Sequence, residues 1–225
     1  MALESERKQL AHNTIIDNMM NLELLFWAAK HGGGKRLYDI ALSHACVTKA
    51  NHFRTDGSCY HVAIYDTISG NSSKESPIKD IAMLRCGRAD RHGLSTDIRW
   101  SIVKHVTKNI FALPKSGRPL HPSPACRLIP YWDFDAPDIP TAPRDASAAA
   151  VVASALLELS TLEDDKERAD KYYKLAEKML RNLSTKKYQS RDKNPALLLH
   201  STGHYPADDE IDASIIYADY YYIEA

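Results

Sequence analysis

The stretch ASAAAVVASALLEL, Ala146–Leu159, and the stretch EDDKERADKYYKLAEKMLRNL that follows it, Glu163–Leu183, together predict a helical hairpin. The first stretch is apolar on every face, and its small residues permit close approach of a neighbouring helix, as in a buried helix. The second is amphipathic, with a predicted buried stripe of Tyr172, Leu175, Met179 and Leu183. An all-α fold built from successive hairpins is therefore expected.

A second hairpin is predicted nearer the N-terminus. Asp17–Lys30 is a helix pattern whose expected buried stripe is Met20, Leu24, Trp27 and Ala28, with Leu25 beside it. Glycines 32–34 end it, as glycines do just past a helix C-terminus. Three further elements are expected: a helix over Leu37–Phe53, a short strand or extended loop over Cys59–Tyr65, and a last helix over Ile211–Ala225.

The segment 71–128 differs from both flanks. It holds eleven Lys and Arg against four Asp and Glu, a formal charge of +7, so the remaining residues carry −7. It also holds five of the eleven prolines, and no hydrophobic period persists through it. This block is expected to be an irregular middle segment within one incomplete domain spanning 1–225. A basic tract of this kind could alternatively be an arm that binds nucleic acid.

Composition argues against several classes of protein. No apolar run reaches the length of a membrane span. The spacing of Cys86, His92, His105 and Cys126 matches none of the usual zinc patterns, so neither a metal nor another cofactor is predicted. Aromatic residues hardly interleave with the basic ones in 71–128, which disfavours a nucleic-acid patch. The sequence indicates neither the compartment nor the oligomeric state.

Six stretches of the flanks resemble the unsaturated glucuronyl hydrolases, glycoside hydrolase family 88. They are IIDNMMNLELL at 15–25, DGSCYHV at 56–62, IPYWDFDAP at 129–137, RDASAAA at 144–150, LLLHSTGH at 197–204 and YADYYYIEA at 217–225. They occur in the family's order and cover most of both flanks. The neighbouring unsaturated rhamnogalacturonyl hydrolases fit these stretches less well, and remain an alternative.

The resemblance implies a fold and a reaction. The fold is an (α/α)6 toroid of helical hairpins, here only partial because the N-terminal half of the family's domain is absent. The implied substrates are oligosaccharides that end in a 4,5-unsaturated uronic acid, such as lyase products of chondroitin or hyaluronan. In the implied reaction a carboxylic acid protonates C4 of the double bond, and water adds at C5. One residue can serve as acid and then as base if its surroundings raise its pKa.

By the same resemblance, Asp17 is the acid/base. Its apolar neighbours suit that role, although an aspartate here could also be an ordinary helix N-cap. His61 matches a family position near the substrate, or is a half-buried strand histidine. Trp132, with Tyr131, could stack on a sugar ring or pack in the core. His200 and His204 lie in a loop near the substrate-facing rim, with His204 the candidate for binding. Arg144 and Asp145 are interpreted as a structural pair that begins the following helix.

The family carries a T-H-Q-G and W-x-R-G-Q-A-W motif in the interval that the basic block occupies. Joining the third base of each codon to the first two of the next lets Lys74–Asp97 encode that motif. Cys86-Gly87 and His92-Gly93 then permit tryptophan codons, and Asp90-Arg91 permits glutamine. We therefore hypothesise that residues 71–128 are a frameshifted translation. A broken copy could be a non-catalytic helical remnant or scaffold, and that reading stays open.

Overall fold

The computed structural model describes residues 11–52, 60, 62–67, 69, 72–74, 128–133 and 136–225. They belong to two compact units, one within 1–105 and the other within 106–225. Most of the basic block, including the interval of the hypothesised shifted motif, lies outside the described residues. The prediction of one domain over 1–225 stays a prediction.

The first unit contains the predicted N-terminal hairpin. Helix α1, Leu22–Ala28, runs through a wide turn, Ala29–Gly33, into helix α2, Lys35–His52. Gly32 and Gly34 have φ of 96° and 87°, a left-handed conformation that glycine adopts at no steric cost. Phe26 on α1 meets Tyr38 on α2 edge to face, with ring centroids 5.4 Å apart. The glycines therefore allow the chain to reverse, and the aromatic pair packs the two helices together.

The predicted buried stripe of the first helix is wrong. Leu24 and Trp27 are 69% and 46% exposed, and the buried side chains among the described residues are Ile16, Met19, Leu22 and Phe26. The side chain of Met20, which the prediction also placed in the stripe, lies outside the described residues. The buried side chains are spaced by three, three and four residues, which reflects the change from a 3₁₀ turn to an α-helix. A 3₁₀ turn, Ile16–Asn21, precedes α1 and has three residues per turn, so the helical period of 3.6 begins only at Leu22.

A three-stranded antiparallel sheet completes the first unit. Strand β1, Ala11–Ile15, pairs with β2, Val62–Asp66, which pairs with β3, Ser72–Lys74. The Cys59–Tyr65 prediction located β2, whereas β1 and β3 were not predicted. The end of α2 is tied to the start of β2, since Tyr60 N donates to His52 O at 2.7 Å and His52 Nδ1 lies 2.9 Å from Tyr60 O.

The second unit contains the hairpin that the sequence predicts most clearly. Helix α3, Ala146–Leu162, packs against helix α4, Lys166–Leu183, and against the last helix α5, Ile216–Glu224. Thirteen residues of α3 are buried, as its uniformly apolar pattern predicts. The buried side chains of α4 are Tyr172, Ala176, Met179 and Leu183, so the predicted stripe is confirmed except that Leu175 is only partly buried.

The last helix begins later than predicted. Residues 211–215 precede it: Asp212 has φ of 53°, Ala213 pairs with Ser201, and Ile215 is extended. Pairing with another segment takes the backbone groups that a helix would use, which explains the late start. None of the helices in the described part of the chain is long and apolar enough to cross a membrane.

An ion pair at the start of α4 gives a pH-dependent contribution to stability. Arg168 Nη2 donates to Glu163 Oε1 at 2.8 Å, which lowers the pKa of the Glu163 carboxyl from its ordinary value of 4.5. A depressed folded-state pKa means that the stabilisation is present above the unfolded-state pKa and is lost as pH falls through the folded-state pKa. The free energy of unfolding is measured by urea titration at neutral and at acidic pH. Glu163→Gln is expected to lose less of this free energy than the unmodified protein loses when the pH falls below about 4.5. The effect is small because Arg168 is partly exposed.

The control is Glu167→Gln, which removes an exposed carboxylate bound to Lys171 on the same helix. It is expected to leave the acid dependence close to that of the unmodified protein. An acid dependence that Glu163→Gln also leaves unchanged would contradict the assignment of this group.

Candidate active site

Asp17 lies in the 3₁₀ turn that follows β1. Its neighbours Ile16 and Met19 are fully or almost fully buried, so the backbone here runs along the edge of an apolar core. The N-cap of this turn is Ile15, and α1 begins only at Leu22. The alternative reading of Asp17 as the cap of a helix beginning at residue 18 is therefore wrong. The side chain of Asp17 lies outside the described residues.

His61 also lies outside the described residues, but the residue after it is described. Val62 pairs with Ile15 in the antiparallel ladder of β1 and β2. This register joins the C-terminal end of β1, which leads into the turn with Asp17, to the N-terminal end of β2. The sheet thus brings together two of the stretches on which the family resemblance depends.

Trp132 is buried in the second unit. Its ring stacks on that of Tyr205 with centroids 4.0 Å apart and planes at 11°, and its side chain is only 8% exposed. Its backbone N donates to Pro143 O at 3.0 Å. Within the part of the chain that the structure describes, the indole Nε1 has no hydrogen-bond partner. The structure therefore brings Trp132 to the loop that contains His204, with one ring face already covered.

Tyr131 fits the core-packing alternative. The Arg144 guanidinium lies over its ring, 3.7 Å from the centroid, and its hydroxyl donates to Pro140 O at 3.3 Å. Arg144 Nη1 also donates to Ile129 O at 2.7 Å. These contacts fasten the loop that contains Tyr131 and Trp132, here called the aromatic loop, to the segment before α3.

Asp145 accepts hydrogen bonds from two separate segments of the second unit. It is the N-cap of α3, and its Oδ1 accepts from Ser147 N at 3.0 Å and Ala148 N at 3.4 Å. The same oxygen accepts from Thr202 N at 3.3 Å, in the loop 57 residues further along. The prediction that Arg144 and Asp145 begin the helix is confirmed. The structure adds that they join the aromatic loop to the loop that contains His200 and His204, here called the histidine loop.

His204 lies on an exposed part of that loop. It precedes a 3₁₀ turn, Tyr205–Ala207, and its backbone N donates to Asp209 O at 3.1 Å. His200, the other histidine predicted in this loop, lies at the base of the loop, where its Nδ1 is 2.6 Å from Asp212 Oδ1. His204 is therefore the more exposed histidine of this pair.

Asp219 is a buried acidic residue that the sequence analysis missed. It lies in the first turn of α5, and its Oδ2 and Oδ1 accept from Leu197 N and Leu198 N, each at 2.9 Å. The signal was present in YADYYYIEA, where an aspartate interrupts a run of apolar and aromatic residues. This carboxylate holds the segment that leads into the histidine loop.

Replacing Asp219 is expected to destabilise the second unit. Asp219→Ala leaves the amides of Leu197 and Leu198 without their acceptors, at an expected cost of about 2 kcal/mol in the free energy of unfolding. Urea unfolding followed by circular dichroism measures it. Asp170→Ala, which removes an exposed carboxylate bound to Lys174, is the control and is expected to change little. Equal losses in the two variants would refute the role of Asp219.

One open cavity of about 490 Å³ lies along α2. Burial lowers the pKa of His44 in its lining, which consists of Arg36, Asp39, Ile40, Ser43, His44 and Val47. Among the described residues no group of three or more His, Cys, Asp or Glu side chains could hold a metal ion.

Known proteins similar to this chain are unsaturated glucuronyl hydrolases and unsaturated chondroitin disaccharide hydrolases. No family model matches it. An unsaturated glucuronyl hydrolase from Formosa agariphila is 39% identical, over 94% of this chain and 53% of that protein. An unsaturated chondroitin disaccharide hydrolase from Streptococcus pyogenes is 29% identical, over 97% and 55%. The crystal structure of an unsaturated glucuronyl hydrolase specific for heparin superposes with a TM-score of 0.77 at 36% identity, over 94% of this chain and 58% of that one.

The fold of these hairpins is therefore that of the (α/α)6 toroid glycosidases. Within that class, the chain belongs to the unsaturated glucuronyl hydrolase family. It spans about half the length of the curated relatives it matches.

Proposed function

We propose that this chain is part of an enzyme that hydrolyses saccharides ending in a 4,5-unsaturated glucuronic acid. The observation that carries the proposal is the 39% identity to an unsaturated glucuronyl hydrolase over nearly the whole chain. The substrate class is that of the lyase products of chondroitin, hyaluronan or a similar glycosaminoglycan.

In the proposed reaction Asp17 is first the acid and then the base. Its carboxylic acid protonates C4 of the double bond, which leaves positive charge shared between C5 and the ring oxygen. Water, deprotonated by the resulting carboxylate, adds at C5. The product is a hemiketal that opens and releases the neighbouring sugar, and Asp17 is protonated again. A carboxyl group can alternate in this way when its pKa lies near the working pH.

The backbone of the first unit supports the pairing of Asp17 with His61. Asp17 follows Ile15 by two residues, His61 is bonded to Val62, and Ile15 pairs with Val62. Consecutive Cα atoms are about 3.8 Å apart, so this register favours a common site at that end of the sheet. In the proposal His61 binds the substrate close to the reacting sugar.

Trp132 and His204 are proposed to bind substrate in the second unit. The indole Nε1 of Trp132 is a donor that the described residues leave unused, and His204 is open to solvent on the loop whose Tyr205 stacks on Trp132. The exposed imidazole suits the hydroxyl groups of a sugar, whereas the indole Nε1 is buried in this structure.

The test is loss of the ultraviolet absorbance of the unsaturated uronate, using lyase-generated disaccharides of chondroitin, hyaluronan and heparin. Loss of absorbance with any of these supports the proposal. Turnover of an unsaturated rhamnogalacturonyl disaccharide alone would favour the neighbouring family instead. If every one of these disaccharides remains intact, catalysis by this chain is rejected.

A non-catalytic remnant is the second candidate, because the chain spans about half the length of its relatives. A version with the frame of 71–128 restored and the family's N-terminal half added separates the two. Turnover by that version alone would make this chain an inactive copy of a hydrolase.

The frameshift hypothesis predicts the DNA sequence of the gene. Read one frame over, the codons of residues 71–128 are expected to encode T-H-Q-G followed by W-x-R-G-Q-A-W, with tryptophan codons across Cys86-Gly87 and His92-Gly93. Sequencing the source gene measures this directly. Absence of either tryptophan codon from the shifted frame would disprove the hypothesis.

A further inference from the structure

Residues 200–213 form a hairpin-like arm, here called the arm. Its two halves pair through backbone groups: Ser201 and Ala213 exchange two bonds of 2.8 Å, and Gly203 N donates to Glu210 O at 2.8 Å. The halves approach so closely at Gly203 that a Cβ there would overlap the Glu210 side chain. The tip is the 3₁₀ turn Tyr205–Ala207.

The outgoing half of the arm is anchored to the start of α3. Ala146 N donates to His200 O at 2.9 Å, and Thr202 Oγ1 donates to Arg144 O at 3.2 Å. Thr202 N adds its bond to Asp145. The returning half pairs with the outgoing half, so its position depends on what holds the two halves together.

Both residues at the root of the arm have left-handed backbone. The φ angles are 63° at His200 and 53° at Asp212. Residues with a Cβ rarely adopt this conformation, and it persists where surrounding contacts impose it. At this root the contact is between the two side chains themselves: His200 Nδ1 lies 2.6 Å from Asp212 Oδ1. The ring of His200 is braced from the side by Tyr188, at a centroid distance of 5.8 Å.

The arm carries both features that the second unit contributes to the proposed site. Tyr205 at its tip stacks on Trp132, and His204 precedes that turn. Any opening of the two halves would move Tyr205 off the indole and displace His204 with it. The geometry of the proposed binding residues therefore depends on the root of the arm.

We infer that the His200–Asp212 hydrogen bond is a clasp that positions the arm, and with it Tyr205 against Trp132 and His204 beside that turn. His200 and Asp212 are positioning residues in this inference and do not touch the reacting atoms. The part of the inference that concerns substrate rests on the proposed function, whereas the part that concerns the arm does not.

Three variants of this chain test the clasp. Asp212→Gly removes the hydrogen bond while keeping a residue that tolerates left-handed backbone. Asp212→Asn keeps both an acceptor and that tolerance. Asp208→Gly is the matched control: Asp208 lies in the same arm with φ of 55°, and its side chain makes no hydrogen bond to any residue that the structure describes.

The first readout is amide hydrogen exchange, which needs no substrate. Asp212→Gly is expected to speed exchange at Ser201, Gly203, His204 and Ala213 about fivefold, the scale of a partly exposed pair, and to leave α4 unchanged. Asp212→Gly is also expected to weaken the near-ultraviolet circular dichroism signal of the Tyr205–Trp132 stack. This signal is identified as the part of the spectrum that Tyr205→Leu removes. Asp212→Asn and Asp208→Gly are expected to match the unmodified chain. Arm exchange in Asp212→Gly no faster than in Asp208→Gly, or equally fast in Asp212→Asn, would overturn the clasp.

The second readout uses the unsaturated disaccharide. Asp212→Gly is expected to raise KM about fivefold at unchanged kcat, with Asp212→Asn restoring KM. A fall in kcat at unchanged KM would overturn the positioning role. If the unmodified chain turns over no substrate, the proposed function fails, and the exchange result alone decides whether the clasp exists.

Discussion

Asp17→Asn is expected to abolish turnover of an unsaturated glucuronyl disaccharide, with kcat falling by about 10²-fold to 10⁴-fold, the range that general acid–base catalysis contributes. An amide of the same shape can neither protonate C4 nor deprotonate the attacking water. Because the backbone at Asp17 lies within a turn whose neighbours Ile16 and Met19 are buried, the isosteric change is expected to preserve the fold. The measurement is the rate at which ultraviolet absorbance is lost at saturating substrate.

The control for this experiment is Asp39→Asn. Asp39 is an exposed carboxylate on α2 that binds Lys35, and it belongs to the same unit of the chain. Its replacement is expected to leave kcat and KM unchanged. Retention of more than about a tenth of kcat by Asp17→Asn would show that another group protonates the double bond.

Asp145→Ala is expected to lower the free energy of unfolding by about 3 kcal/mol, through the loss of a helix cap and the burial of unpaired amides. Asp145 is buried, and one of its oxygens accepts from Ser147 N, Ala148 N and Thr202 N. The first two bonds begin α3, and the third holds the histidine loop. The variant is therefore also expected to speed amide exchange throughout the arm.

The comparison for Asp145 is Asp165→Ala. Asp165 is the N-cap of α4, where it accepts from Arg168 N at 3.0 Å on an exposed surface. It caps one helix without joining a second segment, so its replacement is expected to cost less. A loss for Asp145→Ala no larger than that for Asp165→Ala, in urea unfolding, would show that the link to Thr202 contributes nothing.

The elements with the strongest local patterns were predicted correctly. Helix α3 is apolar on every face, and α4 has an apolar stripe opposite a charged face, so burial on folding selects the same helices that the sequence favours. The chain reversal after α1 was also predictable, since Gly32 and Gly34 adopt positive φ there without a steric barrier. Local chemistry decides each of these features.

The errors have two separate causes: a change of helical period, and competition by another segment for backbone hydrogen bonds. The face of α1 was misplaced because a 3₁₀ turn of six residues changes the period before the helix begins. The last helix was predicted to begin at Ile211, but Ser201 pairs with Ala213 and postpones it to Ile216. Such pairing depends on residues distant in sequence.

The candidate residues themselves were found from short stretches of sequence. Asp17, His61, Trp132 and His204 were all singled out through the family resemblance, and their proposed roles await the tests above. The connections around them could not be predicted: Ile15 with Val62, Asp145 with Thr202, and Asp219 with two backbone amides. None of these pairs belongs to a periodic sequence pattern from which it could be predicted.

The sequence by itself thus determined the family, the helical hairpins and the candidate side chains, because hydrophobic period, capping residues and short motifs are local properties. Only the tertiary structure decided which loops meet. Polar groups buried on folding must find hydrogen-bond partners, and at Asp145 and Asp219 the partners come from segments far along the chain.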